Sequence, residues 1–155
     1  MNLKHITAIL VLTGMLFSSN TLADDLSDVM KVIQQYGDLE NDLAAQAKLM
    51  RSDRVYISGG VRQTDEAKNM ANQITGRQAG ESLNGGKTIF VTMIEDPEVS
   101  IYGKTAVASF VRWWQVYPHR KPSNLSPPTW VTLVLVKEKS KWLIAHTHIS
   151  VVGGN

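Results

Sequence analysis

The sequence contains no cysteine among its 155 residues, and it has little excess charge of either sign. Without cysteine the chain forms no disulfide. A domain of this length does not need one, because it can bury roughly two thirds of the surface that the unfolded chain exposes. The 16 lysine and arginine residues are nearly balanced by 14 aspartate and glutamate residues. This balance provides no electrostatic basis for binding nucleic acid or an anionic membrane surface.

An apolar run near the start of the chain is too short to span a bilayer as a helix. Lys4 and His5 precede the run over residues 6–17, and small or polar residues follow it as far as Ala23. This order is typical of a secretory signal peptide, although an uncleaved anchor is an alternative interpretation. We therefore predict a signal peptide over residues 1–23, a single domain over residues 24–155, no membrane span after cleavage, and a periplasmic or secreted protein.

Three helices are predicted in the first half of the mature chain. Apolar residues at helical spacing indicate a first helix that ends at Gly37. Asp38 is expected to cap a second helix, although the break at Gly37 is equally consistent with a kink in one long helix. After a short strand over Asp53–Ser58, Thr64 is expected to cap a third helix that ends at Gly76.

The character of the sequence changes after residue 86. Long segments rich in β-branched and aromatic residues are interrupted at Asp96-Pro97 and Gly103-Lys104, which predicts a series of strands. Helices followed by such strands indicate an α+β fold, with the N-terminal helices packed on one face of an antiparallel sheet.

The strand predicted over residues 105–117 is apolar on both faces. A sheet with one solvated face should alternate apolar and polar residues, and the helices cover only one face. We therefore expect a second copy of the chain to cover the other face, in a homodimer or larger homo-oligomer. The residues expected on this outer face are Val107, Val111, Trp113 and Tyr117. The alternative is the opposite set, if the facing of the strand is inverted: Ala106, Ala108, Phe110, Trp114 and Val116.

Three segments in this order carry a resemblance to a known family. "YGDLENDLAAQAKLMRSD", "DPEVSIYGKTAVASFVRWWQ" and "KWLIAHTHIS" resemble the nuclear transport factor 2-like superfamily. Within it the chain looks like the SnoaL-like proteins and the association domain of calcium/calmodulin-dependent protein kinase II. The resemblance implies a cone: a strongly curved sheet wrapped around helices, with a pocket between them and with dimers or rings formed through the sheet. The resemblance does not indicate which reaction, if any, the protein catalyses.

The terminal strand contains two histidines in an otherwise buried pattern. Strand alternation predicts that Trp142, Ile144, His146 and His148 share the face that looks into the cone. We consider His146 and His148 as general bases, with Asp53 as the residue that orients them, since the family fold brings its strand near the cone. The alternative is a structural role, with both rings hydrogen-bonded to the backbone or to a neighbouring hydroxyl. We predict no metal and no cofactor, because the mature chain offers a single further histidine and no cysteine.

Arg112 lies on a strand face with Phe110 and Trp114, and a buried guanidinium needs an anion nearby. The resemblance supports a pocket role, because the arginine at the matching position of the kinase association domain faces the pocket. The alternative is an internal ion pair with Asp53 or Glu95. The other residues expected to line the pocket are Phe110, Trp114, Tyr36, Tyr56 and Trp130.

These features favour an exported domain that binds a small, mostly apolar molecule, one that can carry a carboxylate, in the pocket of a homodimer. An isomerase, dehydratase or cyclase that uses a histidine base is an alternative, and a domain that serves only assembly is another. An enzyme should place a histidine beside a roomy cavity, whereas side chains should fill the cavity of an assembly domain.

Processing at the predicted site has a direct test. N-terminal sequencing of the protein exported by its host should begin at Asp24 or within a few residues of it. Mature protein that retains Met1 and stays in the cytoplasm would contradict the signal peptide.

Overall fold

The computed structural model describes residues 22–153, so the predicted signal peptide lies outside the described residues except for its last two positions. Within this range no helix combines the length and the apolar composition needed to cross a membrane. The helices are α1 (residues 22–38), α2 (Leu43–Gln46) and α3 (Glu66–Asn84), with 3-10 turns at Leu39–Asn41 and Ala47–Leu49. The strands are β1 (Met50–Ser58), β2 (Val61–Gln63), β3 (Ile89–Tyr102), β4 (Thr105–Tyr117), β5 (Asn124–Leu125), β6 (Thr129–Glu138) and β7 (Lys141–Val151).

The first helix packs closely on the sheet at its C-terminal end. Val29, Ile33 and Tyr36 recur at helical spacing and are buried. The interpretation in which Gly37 ends the first helix is wrong, because α1 continues to residue 38. A Cβ atom at Gly37 would lie 3.1 Å from Cδ1 of Ile94, so the glycine allows the helix and β3 to approach each other.

The capping residues of the next two helices differ from the prediction. Asp38 does not cap α2; Asp42 does so instead, accepting a hydrogen bond from the Ala45 amide at 2.9 Å. Likewise Asp65, and not Thr64, caps α3 through the Lys68 amide. In both cases an aspartate further along the chain supplies an equally good acceptor, four residues after Asp38 and one residue after Thr64.

The third helix is also longer than predicted. It continues through Gly76 to Asn84 and ends at Gly85, whose φ of 72° is the left-handed conformation that glycine adopts readily at the end of a helix. The predicted end at Gly76 is therefore wrong, because a glycine inside a helix weakens it without stopping it.

Seven strands form one mixed sheet in the order β2-β1-β7-β6-β4-β3, with β5 paired to the end of β4. The prediction of a purely antiparallel sheet fails at one pair, since β1 and β7 run parallel. β1 is the first strand of the chain and β7 is the last, so this pair joins the two ends of the domain.

The face of the sheet that packs on α1, here called the inner face, carries the core. Ala106, Ala108 and Phe110 of β4 pair with Leu135, Leu133 and Val131 of β6, and all six side chains are buried. The opposite, outer face of β4 carries the residues expected there: Val107, Val111, Trp113 and Tyr117. None of these four belongs to the core cluster around α1.

A β-bulge in β7 changes which side chains face the core. Ile144 pairs with Leu135 and His146 pairs with Val134, so Ala145 is an extra residue with no partner on β6. One extra residue reverses the alternation that follows. Trp142 and Ile144 are therefore buried before the bulge, and Thr147 is buried after it.

A carboxylate near the start of α1 attaches this helix to the β6–β7 hairpin. Asp25 Oδ1 accepts hydrogen bonds from Lys137 Nζ and, at 3.2 Å, from Trp142 Nε1. The hydrogen bond from Lys137 is the main cause that lowers the pKa of Asp25, and burial opposes it. A lowered pKa in the folded state means that the carboxylate stabilises the fold above its unfolded pKa and loses that effect in acid.

We predict that Asp25→Asn lowers the free energy of unfolding at pH 7 by about 1 kcal/mol, because a charged hydrogen bond is lost from a partly solvated site. The difference from wild type should shrink as the pH falls below about 4. Urea titrations at pH 7 and pH 3 measure both effects. Asp28→Asn is the matched control, since Asp28 pairs with Lys31 on the exposed side of the same helix. Equal losses in the two variants would contradict the anchoring role.

Candidate functional site

A cavity of about 490 Å³ lies between α3 and the inner face of the sheet. This volume is within the range of small-molecule sites, roughly 300–1,000 Å³. Asn72 and Gly76 of α3 are exposed, so the cavity opens to solvent along this helix. The lining residues are Tyr36, Glu40, Gln46, Arg54, Tyr56, Ser58, Asn72, Gln73, Gly76, Arg77, Gly80, Thr88, Phe90, Arg112 and Trp114.

The cavity is lined mainly by polar and aromatic side chains. Of the residues predicted to bind a ligand, Tyr36, Tyr56, Arg112 and Trp114 line it. No Val, Leu, Ile or Met side chain is among the described lining residues. The expectation of an apolar pocket is therefore wrong, because the aliphatic residues of the strands pack under α1 and not under α3.

The first of three arginines in the cavity is fully engaged by the protein. Arg54 of β1 is 2% exposed, and its Nε donates to Glu66 Oε2 on α3 at 2.6 Å. Its Nη1 donates to Thr147 Oγ1 at 3.3 Å, and its guanidinium lies 5.0 Å from the centre of the Tyr56 ring. Arg54 therefore has a carboxylate partner and is held by neighbours on two sides.

The second arginine also has a carboxylate partner. Arg77 of α3 donates to both the carbonyl and the carboxylate of Glu40, in the turn after α1. Gln46 Nε2 donates to the other carboxylate oxygen of Glu40 at 3.2 Å. The Arg77 guanidinium also lies 4.0 Å from the centre of the Phe90 ring, so this side chain is positioned from both sides.

Arg112 differs from the other two, since its side chain has no hydrogen-bond acceptor among the described residues. Its Nε is buried and unpaired, and its guanidinium lies 5.6 Å from the centre of the Trp114 ring. Neither predicted partner is available. Asp53 accepts from Arg51 at 2.7 Å, and Glu95 accepts from Trp113 Nε1 at 2.5 Å on the outer face. The cavity therefore contains one positive charge without a matching carboxylate.

Tyr36 brings a neutral hydrogen-bond donor close to this charge. Burial raises the pKa of Tyr36 to about 12, and the nearby Arg112 charge partly counteracts that rise. The hydroxyl is therefore protonated at neutral pH. Arg112 and Tyr36 together can donate hydrogen bonds to an anion inside the cavity.

The predicted catalytic residues do not come together at the cavity. The bulge at Ala145 places His146 and His148 on the outer face, beside Val134 and Thr132 of β6. Asp53 is exposed and paired with Arg51, so it orients neither ring. The predicted placement of all three residues is therefore wrong. The extra residue reverses the alternation for His146 and His148, and the ion pair with Arg51 holds Asp53 at the surface. Among residues 22–153, no three histidine, aspartate or glutamate side chains form a possible metal site.

Two predicted ligand-binding residues also lie elsewhere. Phe110 is 0% exposed and belongs to the core under α1. Trp130 is 48% exposed on the outer face, where it pairs with Val111 of β4. Phe110 lies on the inner face of β4, but the cavity begins two residues beyond it. Trp130 lies on the outer face because it is paired with Val111 and not with a residue of the inner face.

Several lining residues were not predicted. Arg54 had a usable signal, because it precedes Tyr56 by two positions in a strand and must share its face. Gly76 and Gly80 also had one, since two glycines at a spacing of four lie on the same face of a helix. Glu40 and Arg77 had none, because only the packing of α3 brings them together.

No protein-family model matches the sequence. No curated protein matches it either. The fold, by contrast, is shared with solved structures. An NTF2-like protein with a cystatin-like fold from Novosphingobium aromaticivorans has a TM-score of 0.72 and 17% identity, over 90% of each chain. A candidate ketosteroid isomerase from Shewanella frigidimarina has a TM-score of 0.59 and 19% identity, over 77% of this chain and 92% of its own. ActVI-ORFA from Streptomyces coelicolor has a TM-score of 0.63 and 16% identity, over 86% and 98%.

These likenesses confirm the predicted fold: the chain adopts the α+β nuclear transport factor 2-like cone. Sequence identities below 20% establish the architecture and not the activity.

Proposed function

We propose that the protein binds a small molecule with a single negative charge, such as a carboxylate, in the cavity under α3. The observation that supports this function is the Arg112 guanidinium, which lines an open cavity without an acceptor among the described residues. The buried Nε of Arg112 has lost water without gaining a partner, which is costly, and a bound anion relieves that cost.

The charge of the cavity favours one anion over several. Arg54 is paired with Glu66 and Arg77 is paired with Glu40, so neither needs a further counter-ion. Arg112 is left with one positive charge. A monocarboxylate satisfies it through charge-assisted hydrogen bonds, with Tyr36 as an additional neutral donor. The polar and aromatic lining also favours a ligand that is less apolar than the sequence predicted.

The two alternative functions have less support. A histidine base has no support from the geometry, because no described residue that lines the cavity is a histidine. A domain used only for assembly was expected to have its cavity filled by side chains, and 490 Å³ of open space favours binding instead.

The proposal includes export and self-association. Residues 1–23 support export, as argued from the sequence. The outer face supports a homodimer, since Val91 and Met93 of β3 and Trp130 of β6, on the two strands that flank β4, are 49%, 57% and 48% exposed. An apolar surface shared by several strands is typical of a face that a second protein surface covers.

Removal of the unpaired arginine tests the binding site. In Arg112→Leu, binding of small carboxylic acids should weaken by roughly 2 kcal/mol, because a charged hydrogen bond is lost. Stability without ligand should stay the same or rise, because an uncompensated charge is removed from the cavity. Thermal melting with and without a panel of monocarboxylic acids measures both effects.

Arg54→Leu is the matched control, since it makes the same change in the same cavity. It should destabilise the protein by roughly 3 kcal/mol, because it leaves the Glu66 carboxylate buried without its partner. If Arg112→Leu melts as low as Arg54→Leu while no acid stabilises wild type, Arg112 has a structural role and the proposed function fails.

Self-association is tested by light scattering at micromolar concentration. Wild type should have at least twice the mass of the mature chain, and Val111→Glu should reduce it to the monomer mass, because a carboxylate would be buried in the apolar interface. Ala79→Glu, on the exposed side of α3, is the control and should leave the mass unchanged. A monomeric wild type would rule out the dimer.

A further inference from the structure

One wall of the cavity is a continuous series of aromatic rings and guanidinium groups. The Phe90 and Trp114 rings are stacked, with their centres 5.4 Å apart and their planes at 14°. Arg77 lies 4.0 Å from the Phe90 ring centre, and Arg112 lies 5.6 Å from the Trp114 ring centre. The cationic group without an acceptor is therefore next to an aromatic side chain, and both line the cavity.

The helix that forms another part of the lining has two positions without side chains. Gly76 and Gly80 are four residues apart in α3, so they lie on the same face, and both line the cavity. A Cβ atom at either position would have nothing within 4 Å. No contact within the described residues therefore requires glycine here, although glycine is a poor residue for the interior of a helix. The missing side chains leave the space beside the helix backbone open.

We infer that the ligand is an aromatic carboxylate with a flat ring, an inference that rests on the proposed function. The carboxylate binds Arg112, and the ring occupies the space between the aromatic wall and the glycine face of α3. A flat ring beside Trp114 can adopt the offset or edge-to-face arrangement that aromatic pairs favour. The open helix backbone accommodates a rigid ring that the side chain of a larger residue would displace.

The charge of the cavity acts on the carboxylate of this ligand, and the shape of the cavity acts on its ring. The proposed binding of an acid and the inferred aromatic ring can therefore be tested separately. Arg112 acts on the carboxylate and should bind any acid small enough to enter. The aromatic wall and the two glycines act on the ring and should favour a flat ring over a puckered ring of the same size. Benzoate and cyclohexanecarboxylate form such a pair, since both carry one carboxylate on a six-membered ring. Cyclohexanecarboxylate is the more apolar of the two, so simple hydrophobicity predicts the opposite preference.

Titration calorimetry of the full mature protein with both acids tests the inference. Wild type should bind benzoate about threefold to tenfold more tightly than cyclohexanecarboxylate, the range expected from one favourable aromatic contact. Gly76→Leu and Gly80→Leu should each weaken benzoate binding at least about tenfold by occupying the space of the ring. They should not lower the melting temperature, because leucine is a better helix former than glycine and the space is open. Ala79→Leu, on the exposed side of the same helix, should bind benzoate like wild type.

The outcomes distinguish the two proposals. Equal or tighter binding of cyclohexanecarboxylate, or unchanged benzoate binding in both leucine variants, would overturn the aromatic ligand. Binding to Arg112 would stand in that case, provided that both acids lose affinity in Arg112→Leu. If neither acid binds wild type and no acid of the wider panel does so, the proposed function fails, and the aromatic ligand fails with it.

Discussion

The cavity exists because ion pairs, and not an apolar seam, hold α3 over the sheet. Only Glu66, Asn69 and Met70 of this helix are buried, so its apolar contribution to the core is small. Glu66 pairs with Arg54 of β1, and Arg77 pairs with Glu40 after α1. Loss of one partner of a buried pair costs roughly 3–5 kcal/mol, because the other charge stays buried. These two pairs fix α3 and allow the space beneath it to remain unfilled.

The same pairs explain why Arg112 differs from its neighbours. Arg54 and Arg77 have structural roles, since the ion pair of each one holds α3 against another part of the fold. The Arg112 side chain pairs with no carboxylate among the described residues, although it lies at the edge of the core beside Trp114. An arginine that lines a cavity with its Nε buried and unpaired supports the proposed binding of an anion there. The stability of the fold and the proposed anion binding thus depend on different arginines of one cavity.

Two of the bulges mark places where the side chains of the sheet change between core packing and another environment. The bulge at Asp96-Pro97 of β3 lies opposite Phe110, at the boundary between the packed core and the cavity end of β4. The bulge at Ala145 of β7 keeps Thr147 inside and turns the histidines outward. A bulge changes the direction of side chains without interrupting the strand, which is why the sheet stays continuous while its faces change character.

The sequence by itself determined the α+β class and which side chains of β4 share a face, with Arg112 and Trp114 on one face and Val111 and Trp113 on the other. The first depends on the order of elements and the second on a local period of two residues, and both can be read along the chain. The cone fold and the pocket-facing direction of Arg112 were implied by the resemblance to a family. Tertiary structure alone decided the pairing of Glu40 with Arg77, the parallel contact of β1 with β7 and the bulge at Ala145. These depend on contacts between distant segments, and a single extra residue in β7 was enough to move His146 and His148 from the predicted pocket to the opposite face.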